Sequence, residues 1–472
     1  MPHPRSRRLN APSTCLVGAI FLLAVSLLLP ACARIPRETG LDYQPTAEDM
    51  ALLDEISREG FQYFLDYAHP DTGLVADKIT TAGDNVCSVA AQGFKFAVLP
   101  MGVERGWISF DEGYESAALA LRTLKNSTGR RYGLYAHFLN METGDQSLDA
   151  YEVGVSTIDS ALMIAGALVA GEYFGGEAKE LANEIYAEMD WSAFQNESRG
   201  GQIYMLWEPE NERDFDGPGR FTPPVWDWYS DETLLIAILG VSSPTEEFRL
   251  PLERAFSNWN RPVGSDGKRE FVYTWPGTLF NYTFANLFLD FSELGEDPNG
   301  INWWDNTRKA VLSNRDWCRA NADLFESYGT DRWGITASSG PHYTYVVPGH
   351  QPRGAEGNSP AGGVVAPYGV GMSVPWEPRD TIAALRHMRD LEVNGKPLWT
   401  SVEDGGYGFW DAFSIDQDWV SDDVFAIAHG PMLMGIENYR TGLIWDLAIR
   451  NEHLREGLFR AGFNVPEALE GP

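Results

Sequence analysis

The sequence predicts an all-α protein: an (α/α)6 toroid, helical hairpins closed into a ring, with long functional loops and a few short strands. Three observations lead there. About ten to twelve segments, each of roughly 10–18 residues, carry apolar side chains at helical spacing. Between them lie Gly-, Pro- and Trp-rich stretches, several longer than about 15 residues, a length at which a loop is usually functional rather than filler. No alternation of strand with helix runs along the chain, which argues against a doubly wound sheet or a parallel barrel.

The elements follow in order. Residues 1–31 form a signal peptide: Arg5, Arg7 and Arg8 make a positive start, and Leu16 to Leu29 is an uncharged apolar run too short for a comfortable membrane span. Leu29-Pro30-Ala31-Cys32 resembles a bacterial lipoprotein box, which makes Cys32 the lipidated first residue of the mature protein. Ala33 in place of Asp directs the anchor to the outer membrane, so the expected location is exported, periplasmic or outer-membrane lipoprotein. Plain signal cleavage and a retained anchor helix are the alternatives. Residues 32–46 are a linker from the lipid anchor. Residues 47–472 are expected to form one domain, since no Ser/Gly/Pro-rich linker cuts them. Thr46-Ala47-Glu48-Asp49 opens the first helix as a capping box, and Leu53, Ile56, Phe61, Phe64 and Leu65 give it one apolar face. Further helices are expected at 111–125, 157–174, 177–190, 231–240, 245–258, 283–294, 306–326, 378–391, 421–437 and 441–459. The stretches 69–93, 191–228, 261–282, 328–377 and 395–420 read as loops, with strand-like pieces at 202–207 and 342–347.

Composition narrows the function. Sixty-seven acidic against 36 basic residues give a formal charge of −31, which excludes bulk electrostatic binding of nucleic acid. With 44% apolar residues the chain is not a disordered acidic solvator. Sixteen Trp, 19 Tyr and 24 Phe beside an excess of carboxylates fit a sugar site, where rings stack on sugar faces and carboxyl groups do acid/base work. An extracytoplasmic acidic surface over an ordinary core is the plainer alternative. No CxxC, HxxxH or HExxH occurs, so no metal and no cofactor is expected. A Cys87–Cys318 disulfide is permitted by an oxidising compartment.

Glycoside hydrolysis needs two carboxyl groups across the scissile bond, and four segments offer them. In 151–161, Asp159 falls in the first turn of an apolar helix, either as a cap or as a carboxylate held by the helix N-terminus, with Glu152 before it. In Trp226-Asp227-Trp228-Tyr229-Ser230-Asp231-Glu232, three rings precede an Asp-Glu pair, more than capping demands. In 405–413, Tyr407 and Trp410 flank Asp411 on a glycine-rich turn. In 429–440, Glu437 ends an apolar helix, open to a structural pairing with Arg440. Trp333 and His342 belong to a loop of small polar residues at 333–342.

Taken in order, these motifs resemble the glucoamylase-like family of bacterial glycoside hydrolases, including the endo-β-1,2-glucanases of glycoside hydrolase family 144 and relatives. The segments that carry the resemblance are AQGFKFAVLPMGVERGWIS at 91–109, STIDSALMIAGAL at 156–168, DETLLIAILGVSSPT at 231–245, WGITASSGP at 333–341, GGYGFWDAF at 405–413 and HGPMLMGIENYRTGLIW at 429–445. The resemblance implies the toroid, a groove on one face, and inverting, metal-free hydrolysis of a β-glucan, with β-1,2-glucan as substrate. By position it implies catalytic roles for Glu232, Asp159 and Asp411. Substrate contacts are expected from Glu152, Trp226, Tyr229, Trp333, His342, Tyr407, Trp410 and Glu437. Ser156 stands where relatives often carry another Asp, and Asn281-Tyr282-Thr283-Phe284 departs from a histidine-containing pattern.

The expectation is an endo-β-1,2-glucanase, monomeric and lipid-anchored, in which Glu232 or Asp159 is the general acid and Asp411 or another acid activates water. The alternatives are a non-catalytic glucan-binding lipoprotein, a transglycosylase or other-linkage glucanase, and a polysaccharide lyase. The last needs basic residues to neutralise a uronate, which the acidic balance disfavours.

Overall fold

The computed structural model describes residues 43–79, 85–147, 154–211, 214–342, 344–352 and 362–466. The signal peptide, Cys32 and most of the linker lie outside these residues.

The described chain is predominantly helical. In order the helices are α1 (Ala47–Asp66), α2 (Val89–Glu104), α3 (Phe110–Asn126), α4 (Thr157–Phe174), α5 (Gly176–Glu188), α6 (Asp231–Ser242), α7 (Leu252–Ala255), α8 (Phe284–Phe288), α9 (Phe291–Leu294), α10 (Trp303–Ala320), α11 (Pro367–Gly371), α12 (Pro378–Arg389), α13 (Ala426–Arg440), α14 (Leu443–Arg450) and α15 (Glu452–Arg460). Along the sequence they alternate between two environments. α2, α4, α6, α8, α11 and α13 are buried on nearly every side. α1, α3, α5, α10, α12 and α15 bury one face and expose the other. Composition sets the difference. α4 reads TIDSALMIAGALVAGEYF, apolar all round, whereas α3 places Asp111, Glu112 and Glu115 on its wet side.

The buried helices pack on one another: α2 on α4, α4 on α6, α6 on α8, and α13 back onto α2. At the α2–α4 crossing the backbones meet through glycine. A Cβ on Gly166 would sit 1.9 Å from the Gly93 carbonyl oxygen, closer than any real contact. Capping fixes the helix starts. Thr46 with Asp49 and Ser109 with Glu112 form capping boxes, while Ser88, Ser156 and Ser230 cap α2, α4 and α6.

Small antiparallel sheets fill the loops on the N-terminal side of these helices. Val155–Ser156 pairs with Leu206–Pro209, and Val225–Trp226 pairs with Gln202–Tyr204. The expected piece at 342–347 is the second half of a hairpin, Ser338–Gly340 against Thr344–Val346.

Several expected elements are corrected. α11 falls wholly in a stretch read as loop, and α2 begins in one and is not among the expected helices, because a helix buried all round shows no amphipathic period; Pro100 inside α2 disguises it further. The helix expected at 245–258 is a 3-10 turn and the single turn of α7, interrupted before Pro251. The helices expected at 283–294 and 441–459 are each two, broken at Leu289–Asp290 and at Asn451, which caps α15. Cys87 and Cys318 are both buried and free, not disulfide-bonded.

Candidate active site

The N-terminal ends of the buried helices converge on a cavity of about 530 Å³. Ser88 at the start of α2, Asp159 in α4, Glu232 in α6, Phe284 in α8, Tyr368 in α11 and Ile427 in α13 all line it. Asp411, from the loop before α13, completes the set of three expected carboxylates, and Phe138, Phe280, Tyr345 and Phe425 supply further rings. The size and mixed lining are those of a small-molecule or oligosaccharide site.

Each carboxylate is held differently. The Asp159 carboxylate accepts the Ser156 hydroxyl at 2.5 Å, and its other oxygen lies 3.4 Å from His137 Nε2. Ser156 thus serves twice, as cap of α4 and as donor to Asp159. Glu232 opens to the cavity but is enclosed by protein elsewhere. Burial first, then the negative charges of Asp159 and Asp231, push its carboxyl up to about 8, against the opposing hydrogen bond from Asn281 Nδ2 at 2.6 Å. Asp411 is buried and accepts the Ser339 amide at 2.6 Å; burial, with the nearby Asp423 charge, pushes it up to about 7. Asp423 is tied to the Ser339 hydroxyl at 2.6 Å. Asp231, the other half of the Asp-Glu pair, turns into the core, where it accepts from Asn286 and from the Tyr229 hydroxyl; burial pushes it up to about 6.

The pattern is two carboxyl groups whose surroundings raise their proton affinity towards neutrality beside a third held by donors. It suits proton donation to a leaving oxygen by Glu232 and proton removal from water by another acid.

The remaining expected contacts divide. Trp226 and Tyr229 line an adjoining cavity of about 680 Å³ that shares Glu232 and Phe280 with the first. Trp226 is pinned by an indole hydrogen bond to the Thr157 hydroxyl, 2.9 Å. The other residues are not brought to either cavity. Trp333 is fully buried in the core. His342 is exposed in the hairpin turn at φ 65°. Tyr407 packs on Tyr63 and Tyr67 and donates to Asp66, while Trp410 donates to the Thr400 hydroxyl and meets Lys396 across its ring. Glu437 is buried in an ion pair with Arg105 at 2.6 Å, and Arg440 pairs instead with Asp54. Glu152 lies outside the described residues.

Asp77 and His137 are among the polar residues of the site that escaped the sequence. Asp77 lines the cavity, hydrogen-bonded to Ser88 and near His137, with its carboxyl pushed up by burial. Its only signal was an acid at the end of the apolar Leu74-Val75-Ala76 run. His137 followed no motif at all.

Residues 225–452 match the family model described as "Glycoamylase: Putative glucoamylase", a span that contains Glu232 and Asp411. This span of the chain is similar to that family. It is 25% identical over 440 residues to an exo β-1,2-glucooligosaccharide sophorohydrolase (non-reducing end) of Parabacteroides distasonis, covering 87% of this chain and 57% of that relative. Among solved structures, an endo-β-1,2-glucanase of Chitinophaga pinensis, in complex with sophorotriose and glucose, superposes with a TM-score of 0.74 at 27% identity, covering 88% of this chain and 98% of the other. A Bacteroides fragilis protein, described by the same glucoamylase wording, gives 0.75 at 27% identity over 90% and 100% of the two chains.

Proposed function

We propose that this glucoamylase-like chain is a glycoside hydrolase that cleaves β-1,2-glucan within the chain, by an inverting acid/base mechanism on an (α/α)6 toroid. The observation that carries the proposal is the meeting of Asp159, Glu232 and Asp411 in one ring-lined cavity, with Glu232 favouring its protonated form at neutral pH. The two β-1,2-glucan-active relatives give the linkage its support. The alternation of six buried helices with exposed ones supports the toroid.

In this mechanism Glu232 gives its proton to the glycosidic oxygen as the bond to the anomeric carbon breaks. Asp411 takes a proton from a water whose oxygen attacks that carbon from the opposite face. Asp159, oriented by Ser156 and His137, accepts hydrogen bonds from sugar hydroxyls or the water. Export as a lipoprotein through residues 1–31, with Cys32 lipidated, belongs to the same proposal and places the enzyme where it meets exported glucan.

The test is incubation with linear β-1,2-, β-1,3- and α-1,4-glucans and chromatographic resolution of products. A ladder of short β-1,2-linked oligosaccharides from the first glucan alone is the expected result. Products only from α-1,4-glucan overturn the substrate. Binding without products assigns a glucan-binding protein instead. Proton NMR of the first-formed anomer checks inversion.

A further inference from the structure

Glu232 stands at a junction. It and Phe280 line both the cavity that holds Asp159 and Asp411 and the adjoining chamber, whose walls are built from the segment leading directly into Glu232. That second chamber contains no counterpart of the three catalytic candidates except Glu232 itself. Its character is aromatic: Trp226, Trp228 and Trp275 line it, with Asn260 and Asp227 at hand for hydroxyl groups.

The rings are positioned rather than incidental. Trp226 is held through its indole nitrogen by Thr157, and Trp228 by the Tyr273 carbonyl at 3.3 Å. Trp275 meets Trp228 edge to face, ring centroids 5.0 Å apart at 81°, yet remains 48% exposed. A half-exposed Trp braced by a second Trp leaves an apolar surface of the kind that stacks on the flat face of a pyranose. The backbone beneath is stiffened by Pro223, Pro224 and Pro276. Asn260 is fixed by its side-chain bond to the Asp227 carbonyl at 2.8 Å.

The chemistry on either side of Glu232 gives the two chambers different occupants. The sugar whose anomeric carbon is attacked must lie with Asp411, the candidate for activating water. The leaving portion of the chain must then lie beyond the acid that protonates its oxygen. We infer that the Trp226–Trp228–Trp275 chamber is the binding site for the leaving-group side of a β-linked glucan, and that Trp275 sets the preference for long chains over short ones. The inference rests on the proposed hydrolase reading and deepens it.

The experiment compares kcat/KM on long β-1,2-glucan with that on its trisaccharide for wild type, Trp275→Ala and Trp275→Phe. A lost aromatic platform lowers the long-to-short ratio roughly five- to tenfold; Trp275→Phe, which keeps a ring, recovers most of it. Thermal melts confirm folding, and Trp228→Ala serves as a second probe of the same wall. A ratio unchanged from wild type in both alanine variants overturns the inference while leaving hydrolysis intact. If wild type cleaves no β-1,2-glucan, the hydrolase reading fails first. Titration of β-1,2-linked oligosaccharides into Glu232→Gln, followed by indole fluorescence, then decides the chamber. Binding lost on adding Trp275→Ala supports it, and no binding to Glu232→Gln overturns it.

Discussion

Replacing Glu232 by Gln should abolish hydrolysis and, at alkaline pH, make the protein more stable. Both effects follow from one feature, a carboxyl that burial and the charges of Asp159 and Asp231 push from 4.5 to about 8. Between those values the folded state binds a proton that the unfolded state has released, so stability falls as pH rises through this window. At about 1.4 kcal/mol per pH step, ionising the buried group costs up to about 5 kcal/mol by pH 8, an upper bound because relaxation of the cavity and entry of water share the load. Gln keeps the shape and the contact to Asn281 but cannot ionise. Urea unfolding at pH 5 should therefore give near-equal stabilities for the two proteins, and at pH 8 the variant should be more stable by a few kcal/mol. Loss of the general acid should lower kcat on β-1,2-glucan by roughly 10²–10⁴-fold. The reasoning is refuted if Glu232→Gln is no more stable than wild type at pH 8, or if it retains near-normal turnover.

Three further outcomes are expected. Asp423→Asn removes a negative charge beside Asp411, whose carboxyl stands at about 7; its proton affinity should fall, moving the acid limb of the kcat/KM profile down by roughly half to one pH unit, while an unmoved limb removes Asp411 as the base. Arg105→Met leaves Glu437 buried with only Thr441 as donor and should cost about 3 kcal/mol in urea unfolding with unchanged activity per folded molecule. Activity lost without loss of stability would return Glu437 to the substrate. Cys87 and Cys318, buried and with thiols pushed up by burial, should resist a thiol reagent in the native protein and both react in denaturant.

What the sequence disclosed depended on how locally each feature is encoded. Asp159 and Glu232 were legible because each begins a helix whose remainder is apolar, so an acid there is conspicuous against its surroundings. Asp411 was legible through the glycines and rings around it. The walls of the site were not. Tyr407, Trp410 and Trp333 looked as suitable as Phe280, Phe425 or Tyr368, since an aromatic in a loop carries no mark of whether it faces a core or a cavity. Asp77 and His137 reach the site only through tertiary packing of Val86–Ser88 against Phe138–Asn140. Helix α2 was hidden for the opposite reason: burial on every side erases the period by which a helix is recognised.

The position of the site follows from the same packing. Buried helices that present their N-termini to one cavity surround it with partial positive charge, which favours ionised carboxylates. Burial acts against ionisation. Asp159 accepts the Ser156 hydroxyl at the start of its helix and lies 3.4 Å from His137 Nε2. Glu232 has hydrogen bonds from Asn281 and Ser230 but also two acidic neighbours, and there burial and repulsion win. The same helix starts thus hold carboxyl groups in different surroundings. The difference lies in what surrounds each carboxyl: Ser156 donates to Asp159, whereas Asn281 and Ser230 donate to a Glu232 flanked by two acids. Removing the Asn281 hydrogen bond should push the Glu232 carboxyl higher still, without moving a helix.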